Sequence, residues 1–95
     1  MRTNTLEEKF TELQAQAQHM LTDFLMAELQ LCGTFVEFAR TEKDLANEEH
    51  FIRAKEDAEK ALRSVRHFVN RVAAADSLTA IERQCDELER AVKEL

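Results

Sequence analysis

The amino-acid sequence predicts an all-α chain folded as an antiparallel three-helix bundle with a long first helix. Three observations carry this. The 95 residues include no Pro and a single Gly, so little interrupts a helix. Trp and Tyr are absent while Ala, Glu, Leu, Lys and Arg abound, which is the composition of helices rather than sheets. The apolar residues also form three separate runs, stepping alternately by three and four, the signature of helix faces.

Helix 1 is expected from about Thr5 to Lys43. Thr5-Leu6-Glu7-Glu8 has the S/T-x-x-E form of a capping box, and carboxylates in a first turn suit the helix dipole. Leu6, Phe10, Leu13, Ala17, Met20, Phe24, Ala27 and Leu31 then step 4-3-4-3-4-3-4, a sustained heptad seam. From Met20 to Ala39 a second stripe joins it: Leu21, Leu25, Leu29, Cys32 and Val36. A helix that is apolar on two faces needs neighbours on two sides. This stretch is therefore expected at the centre of the bundle, one helix against each stripe.

Asn47 followed by Glu48 and Glu49 reads as an N-cap with an acidic first turn. Helix 2 is expected from about Glu48 to Ala75, with Phe51, Ala54, Ala58, Ala61, Val65, Phe68, Val72 and Ala75 on its face. A hairpin turning at Asp44–Asn47 sets Gly33 opposite Ala58, because antiparallel helices rise equally. A close approach of the two backbones there would account for a glycine inside a helix.

Helix 3 is expected from about Leu78 to Glu94, behind Asp76 or Ser77 as N-cap. Its stripe is Leu78, Ile81, Cys85, Leu88, Val92 and Leu95. The heptad phase breaks across Ala75, Leu78 and Ile81. Either helix 3 folds back, or it continues helix 2 as one long helical hairpin with the break absorbed as a stammer. Folding back is preferred, since it sets helix 3 beside helix 1 from about residue 16, near where the second stripe begins. It leaves Leu6, Phe10 and Leu13 projecting past the end of helix 2. It also separates Cys32 from Cys85 by about 13 Å along the bundle, beyond the reach of a disulfide.

Residues 1–95 make one domain, with 44% apolar and 34% charged residues of mixed sign. The net charge of −6 divides as −4 over residues 1–45, +1 over 46–75 and −3 over 76–95. An acidic surface of this kind argues against binding to nucleic acid or to an anionic membrane. Asp23, Glu28 and Glu37 interrupt the apolar stretch and argue against a membrane span. The opening MRTNTLEEKF lacks the apolar run of a signal peptide. Two isolated cysteines on apolar stripes suit buried free thiols in a reducing compartment. A cytoplasmic location is expected.

A di-iron site on helices needs Glu-x-x-His, yet His19, His50 and His67 follow Gln16, Asn47 and Ser64 at that spacing. No HExxH, EF-hand or P-loop occurs, and neither cysteine has a positioned base beside it in sequence. No metal, cofactor or small-molecule substrate is implied, and an enzyme is not expected. A hydrolase built around the Arg63–His67 pair is a third possibility. From Lys60 to Ala75 the chain holds four cations and no acid. Arg63, Arg66, His67 and Arg71 are thus the alternative site, for an anion or nucleic acid. The leading expectation is a protein–protein association module, a homodimer or a small acidic adaptor or chaperone. Its contacts are Leu6, Phe10, Leu13 and Ala17, an apolar seam with nothing to cover it.

The hairpin at residues 35–62 adds a resemblance. Phe38-Ala39 provides a large residue followed by a small one, Ala46-Asn47 forms the turn, and Ala58 is a later small position. In these features it resembles a single tetratricopeptide-repeat hairpin. It departs from that pattern at Glu42, where an aromatic stands in the repeat, at Phe51, where a small residue stands, and in lacking the following proline. The resemblance implies protein–protein scaffolding and brings no catalytic residue with it.

Overall fold

The computed structural model describes residues 2–95, with side chains described from Thr5 onward. Helix α1 (Arg2–Asp44) is followed by α2 (Glu48–Phe68), a 3₁₀ turn (Val69–Arg71) and α3 (Ala75–Lys93). Helix α1 packs against both α2 and α3, so the chain is an all-α three-helix bundle. The molecule measures 67 × 19 × 16 Å. Its long dimension is that of α1 alone, whose 43 residues rise about 65 Å.

Helix α1 runs through the Thr5 box rather than starting at it, because Thr5 lies in helical backbone three residues inside the helix. Its C-terminus is closed by two reversed hydrogen bonds: the Asn47 amide donates to the Glu42 carbonyl at 2.9 Å and the Ala46 amide to that of Lys43 at 3.1 Å. This is the Schellman arrangement, which needs a left-handed residue at its corner. Ala46 fills that place at φ 57°. Asn47 then caps α2, its side-chain oxygen accepting from the His50 amide.

Helix α2 stops at Phe68, short of the expected Ala75. The rod geometry is thereby excluded, since Val72 and Ala74 are extended, with ψ of 121° and 119°. The cause lies on α1. The Gln18 amide donates from Nε2 to the Arg71 carbonyl and accepts at Oε1 from the Ala73 amide, both at 2.9 Å. It thus satisfies two backbone groups that a helix would have paired internally. Val69 and Val72 on either side are buried against the end of the core. Helix α3 consequently begins at Ala75 with Ala74 as its cap residue; Asp76 sits in the first turn instead of capping it.

The linker also raises α3. Ala73 is level with Gln18, Leu88 lies beside Gly33, and the Lys43 ammonium reaches the Leu95 carbonyl. Helix α3 therefore runs parallel to α1, about one heptad further along than an immediate fold-back would place it. Cys85 comes level with about residue 30, so only about 3 Å of axial rise separates it from Cys32, against the 13 Å expected. Both cysteines are buried and free.

Two contiguous groups of side chains make the core. Leu25, Leu29, Val65, Val69, Val72, Ile81 and Cys85 fill the half near the linker. Cys32, Val36, Ala58, Ala61, Leu62 and Val92 fill the half near the α1–α2 turn. Every α1 residue in these groups belongs to the second stripe. The expectation of one neighbour per stripe is thus corrected: α2 and α3 share the second stripe, and Phe24 and Leu31 of the first remain exposed. Two helices packed on one long helix straddle the same groove line, so a single wide stripe serves both.

Gly33 is corrected too. Cys32, not Gly33, meets Ala58, through a thiol that donates to the Ala58 carbonyl at 3.4 Å. One residue further round the helix turns Gly33 by about 100° towards α3. A Cβ placed there would meet only the Leu88 side chain, at 3.9 Å.

Candidate association surface

The surface begins where the bundle ends. Among the residues whose side chains are described, α1 is exposed at every position from Thr5 to Ala17 and is first partly covered at Gln18, which bonds the linker. That segment is an exposed helical arm. Leu6, Phe10 and Leu13 are 69%, 62% and 63% exposed, and Ala17 is exposed with them.

The exposed row continues on the bundle. Met20 is 71% exposed, and Phe24 and Leu31 are both 44% exposed; Ala27 lies open between them. Phe24 sets its ring edge-on to Phe68 at 5.9 Å, which holds one side of it while leaving the other free. Seven-residue steps from Leu31 lead on to Phe38 and Leu45, exposed by 48% and 70%. The arm is thus one end of an apolar row that follows α1 along its length. The sequence reading sets Met20, Phe24, Ala27 and Leu31 against a neighbouring helix, whereas the structure leaves them exposed. The unchanged heptad phase from Leu6 to Leu31 was the signal that they belong with the arm.

The alternative residues lie on α2 and the turn after it, and each is engaged differently. The Arg66 guanidinium donates to Asp86 Oδ1 at 2.8 Å and Glu89 Oε2 at 3.0 Å. Its pKa is raised, chiefly by the hydrogen bond to Asp86. Arg71 lies over the Phe68 ring at 5.1 Å, and His67 sets its ring edge-on to Phe68. Arg63 borders a shallow groove shared with Glu59, Arg66, Glu89 and Lys93. The four do not converge on one point, and carboxylates stand among them.

Between α1 and α2, Phe35, Phe38, His50, Arg53, Ala54 and Asp57 line a cleft of about 230 Å³, below the ~300–1,000 Å³ of small-molecule sites. Among the described residues no group of three or more His, Cys, Asp and Glu side chains is placed to hold a metal ion. No described helix is long and apolar enough to cross a membrane. Comparison of the chain with protein-family models, curated proteins and solved structures finds no match.

Proposed function

We propose that the chain is a non-enzymatic protein–protein association module that binds through the apolar row of α1, with Leu6, Phe10, Leu13 and Ala17 as its leading contacts. The exposed row itself carries this reading. Six large apolar side chains from Leu6 to Leu31 stand open on one helix face, about 600 Å² at ~100 Å² each. Patches of that size on a soluble chain mark interaction sites. The hairpin at residues 35–62, with its tetratricopeptide-like features, is read as the scaffold that presents the arm. The buried free thiols accord with a cytoplasmic setting.

Light scattering on the size-exclusion peak, together with partner capture, tests the proposal on the double variant Leu6→Glu, Phe10→Glu. Both residues are exposed, so the bundle should fold normally while association is lost. Unchanged oligomeric state together with unchanged capture would remove the proposal. Phosphate or nucleic-acid binding at Arg63, Arg66, His67 and Arg71 would instead show as affinity that falls steeply with salt. The engagement of Arg66 by two carboxylates disfavours that alternative.

A further inference from the structure

We propose that the occupant of the α1 row is a second copy of this chain, laid antiparallel so that each arm covers the bundle-borne half of the other's row. The inference rests on the association reading above and adds the partner, the direction and the register.

Area excludes the arm acting alone. Leu6, Phe10 and Leu13 from two copies would bury about 600 Å² at ~100 Å² per large side chain, short of the ~1,200 Å² at which stable interfaces begin. Adding Met20, Phe24 and Leu31 from both copies reaches that value. The row from Leu6 to Leu31 also spans more than three heptads, the length at which a coiled coil becomes specific.

Side-chain size sets the direction. In a parallel, in-register pair, identical residues face each other. Phe10 would meet Phe10 and Phe24 meet Phe24, while Ala17 and Ala27 would each meet themselves, alternating crowded layers with voids. Asp23 would also flank Glu28 of the second copy. In an antiparallel pair, facing residues have numbers that sum to a constant. At a sum of 37 the layers are Leu6 with Leu31, Phe10 with Ala27, Leu13 with Phe24, and Ala17 with Met20. Each alanine then faces a large side chain. Sliding one heptad one way leaves Leu31 uncovered; sliding the other way sets Ala17 on Ala27 and Phe10 on Thr34.

The fold leaves room for this. Leu25, Leu29, Cys32 and Val36 hold the cores of α2 and α3 on a neighbouring face of α1, and α2 borders the row through Phe68 at Phe24, so the incoming arm would run alongside α2 there. The contact is its own mirror under a two-fold axis near residues 18 and 19, and it closes at two copies. On one flank Lys9 stands near Gln30 and Gln16 near Asp23 of the second copy. On the other, Glu7 stands near Glu28, the one like-charged approach in this register.

That approach supplies the test. Sedimentation equilibrium of the full chain is compared with Phe10→Glu, Leu31→Glu and Glu7→Lys, each checked by circular dichroism for an intact bundle. The expected results are a wild-type dimer, at least tenfold weaker dimerisation for Phe10→Glu and for Leu31→Glu, and several-fold tighter dimerisation for Glu7→Lys. A monomeric wild type, a dimer indifferent to Leu31→Glu, or one weakened by Glu7→Lys would overturn the proposal. A monomer that captures a foreign helical protein through Leu6 and Phe10 would overturn the second copy and leave the association reading standing. A monomer with no capture sensitive to Leu6→Glu, Phe10→Glu would end both.

Discussion

Cys32 and Ala58 join α1 to α2, the thiol donating to the Ala58 carbonyl across 3.4 Å. Neither residue has measurable exposure. Small buried side chains at Ala54, Ala58 and Ala61 line this face of α2. The contact has a consequence for pH. Burial first, and then the charge of nearby Cys85, push the Cys32 thiol up from 9.0 to about 11. Burial likewise raises Cys85. In the unfolded chain both thiols ionise near the ordinary value, while the folded chain keeps them protonated. The folded pKa lies above the unfolded one, so this contribution is complete below pH 9 and is lost as pH rises towards about 11. Thermal melts from pH 8 to 11 should show falling stability, of about 2 kcal/mol from Cys32. Cys32→Ala should be less stable at neutral pH, by about 1 kcal/mol for the lost packing, and should show a shallower alkaline decline. An equal slope in both proteins would contradict this assignment.

Gly33 is a site where stability can be added. Its backbone is helical, and a new Cβ would sit 3.9 Å from Leu88 in ordinary contact. Gly33→Ala should therefore stabilise the chain by about 1 kcal/mol, raising its melting temperature by about 4–8 °C for a chain of this size. A lower melting temperature would show that the α1–α3 spacing is tighter at Gly33 than the geometry gives.

The contrast between these neighbours explains how far the sequence could be read. Helix existence, the three-helix fold and the Asn47 cap were legible because each rests on local chemistry: heptad spacing, absent breakers, a side-chain acceptor before an acidic turn. The arm was legible too, since Leu6, Phe10 and Leu13 precede anything long enough to cover them. Register was not. Whether Cys32 or Gly33 meets Ala58 turns on one residue of offset, which the identities of the turn residues at Asp44–Asn47 do not specify. The early end of α2 was hidden for a different reason. Val69–Ala74 contains no Gly or Pro, and the group that holds it extended, Gln18, lies more than fifty residues away in the chain.

Ala46 carries strain that a substitution can relieve. It occupies the left-handed corner of the α1–α2 turn at φ 57°, where a Cβ costs about 1–2 kcal/mol. The surrounding hydrogen bonds to Glu42 and Lys43 hold it there. Ala46→Gly should keep those bonds and remove the crowding. A gain of about 1 kcal/mol is expected, read as a higher denaturation midpoint with an unchanged m-value. Loss of stability would mean that the added backbone freedom of the unfolded chain outweighs the relief.

Gln18 tests the linker in the opposite sense. Its amide makes one donated and one accepted bond to the extended segment, to Arg71 and from Ala73. Gln18→Ala removes both, and water can reach the freed groups because these bonds are exposed, so the cost should be about 1–2 kcal/mol rather than that of two buried orphans. Gln18→Glu is the sharper variant. An ionised carboxylate can still accept from the Ala73 amide but cannot donate to the Arg71 carbonyl, and it sets a negative charge against that carbonyl oxygen. It should be less stable than wild type at pH 7 and recover part of the loss near pH 4, where the protonated acid regains a donor. Amide hydrogen exchange locates the effect: Ala73 should exchange faster in Gln18→Ala, and in Gln18→Glu it should stay closer to wild type. Equal protection of Ala73 in all three proteins would show that Val69 and Val72, buried on either side, hold the linker without the Gln18 amide.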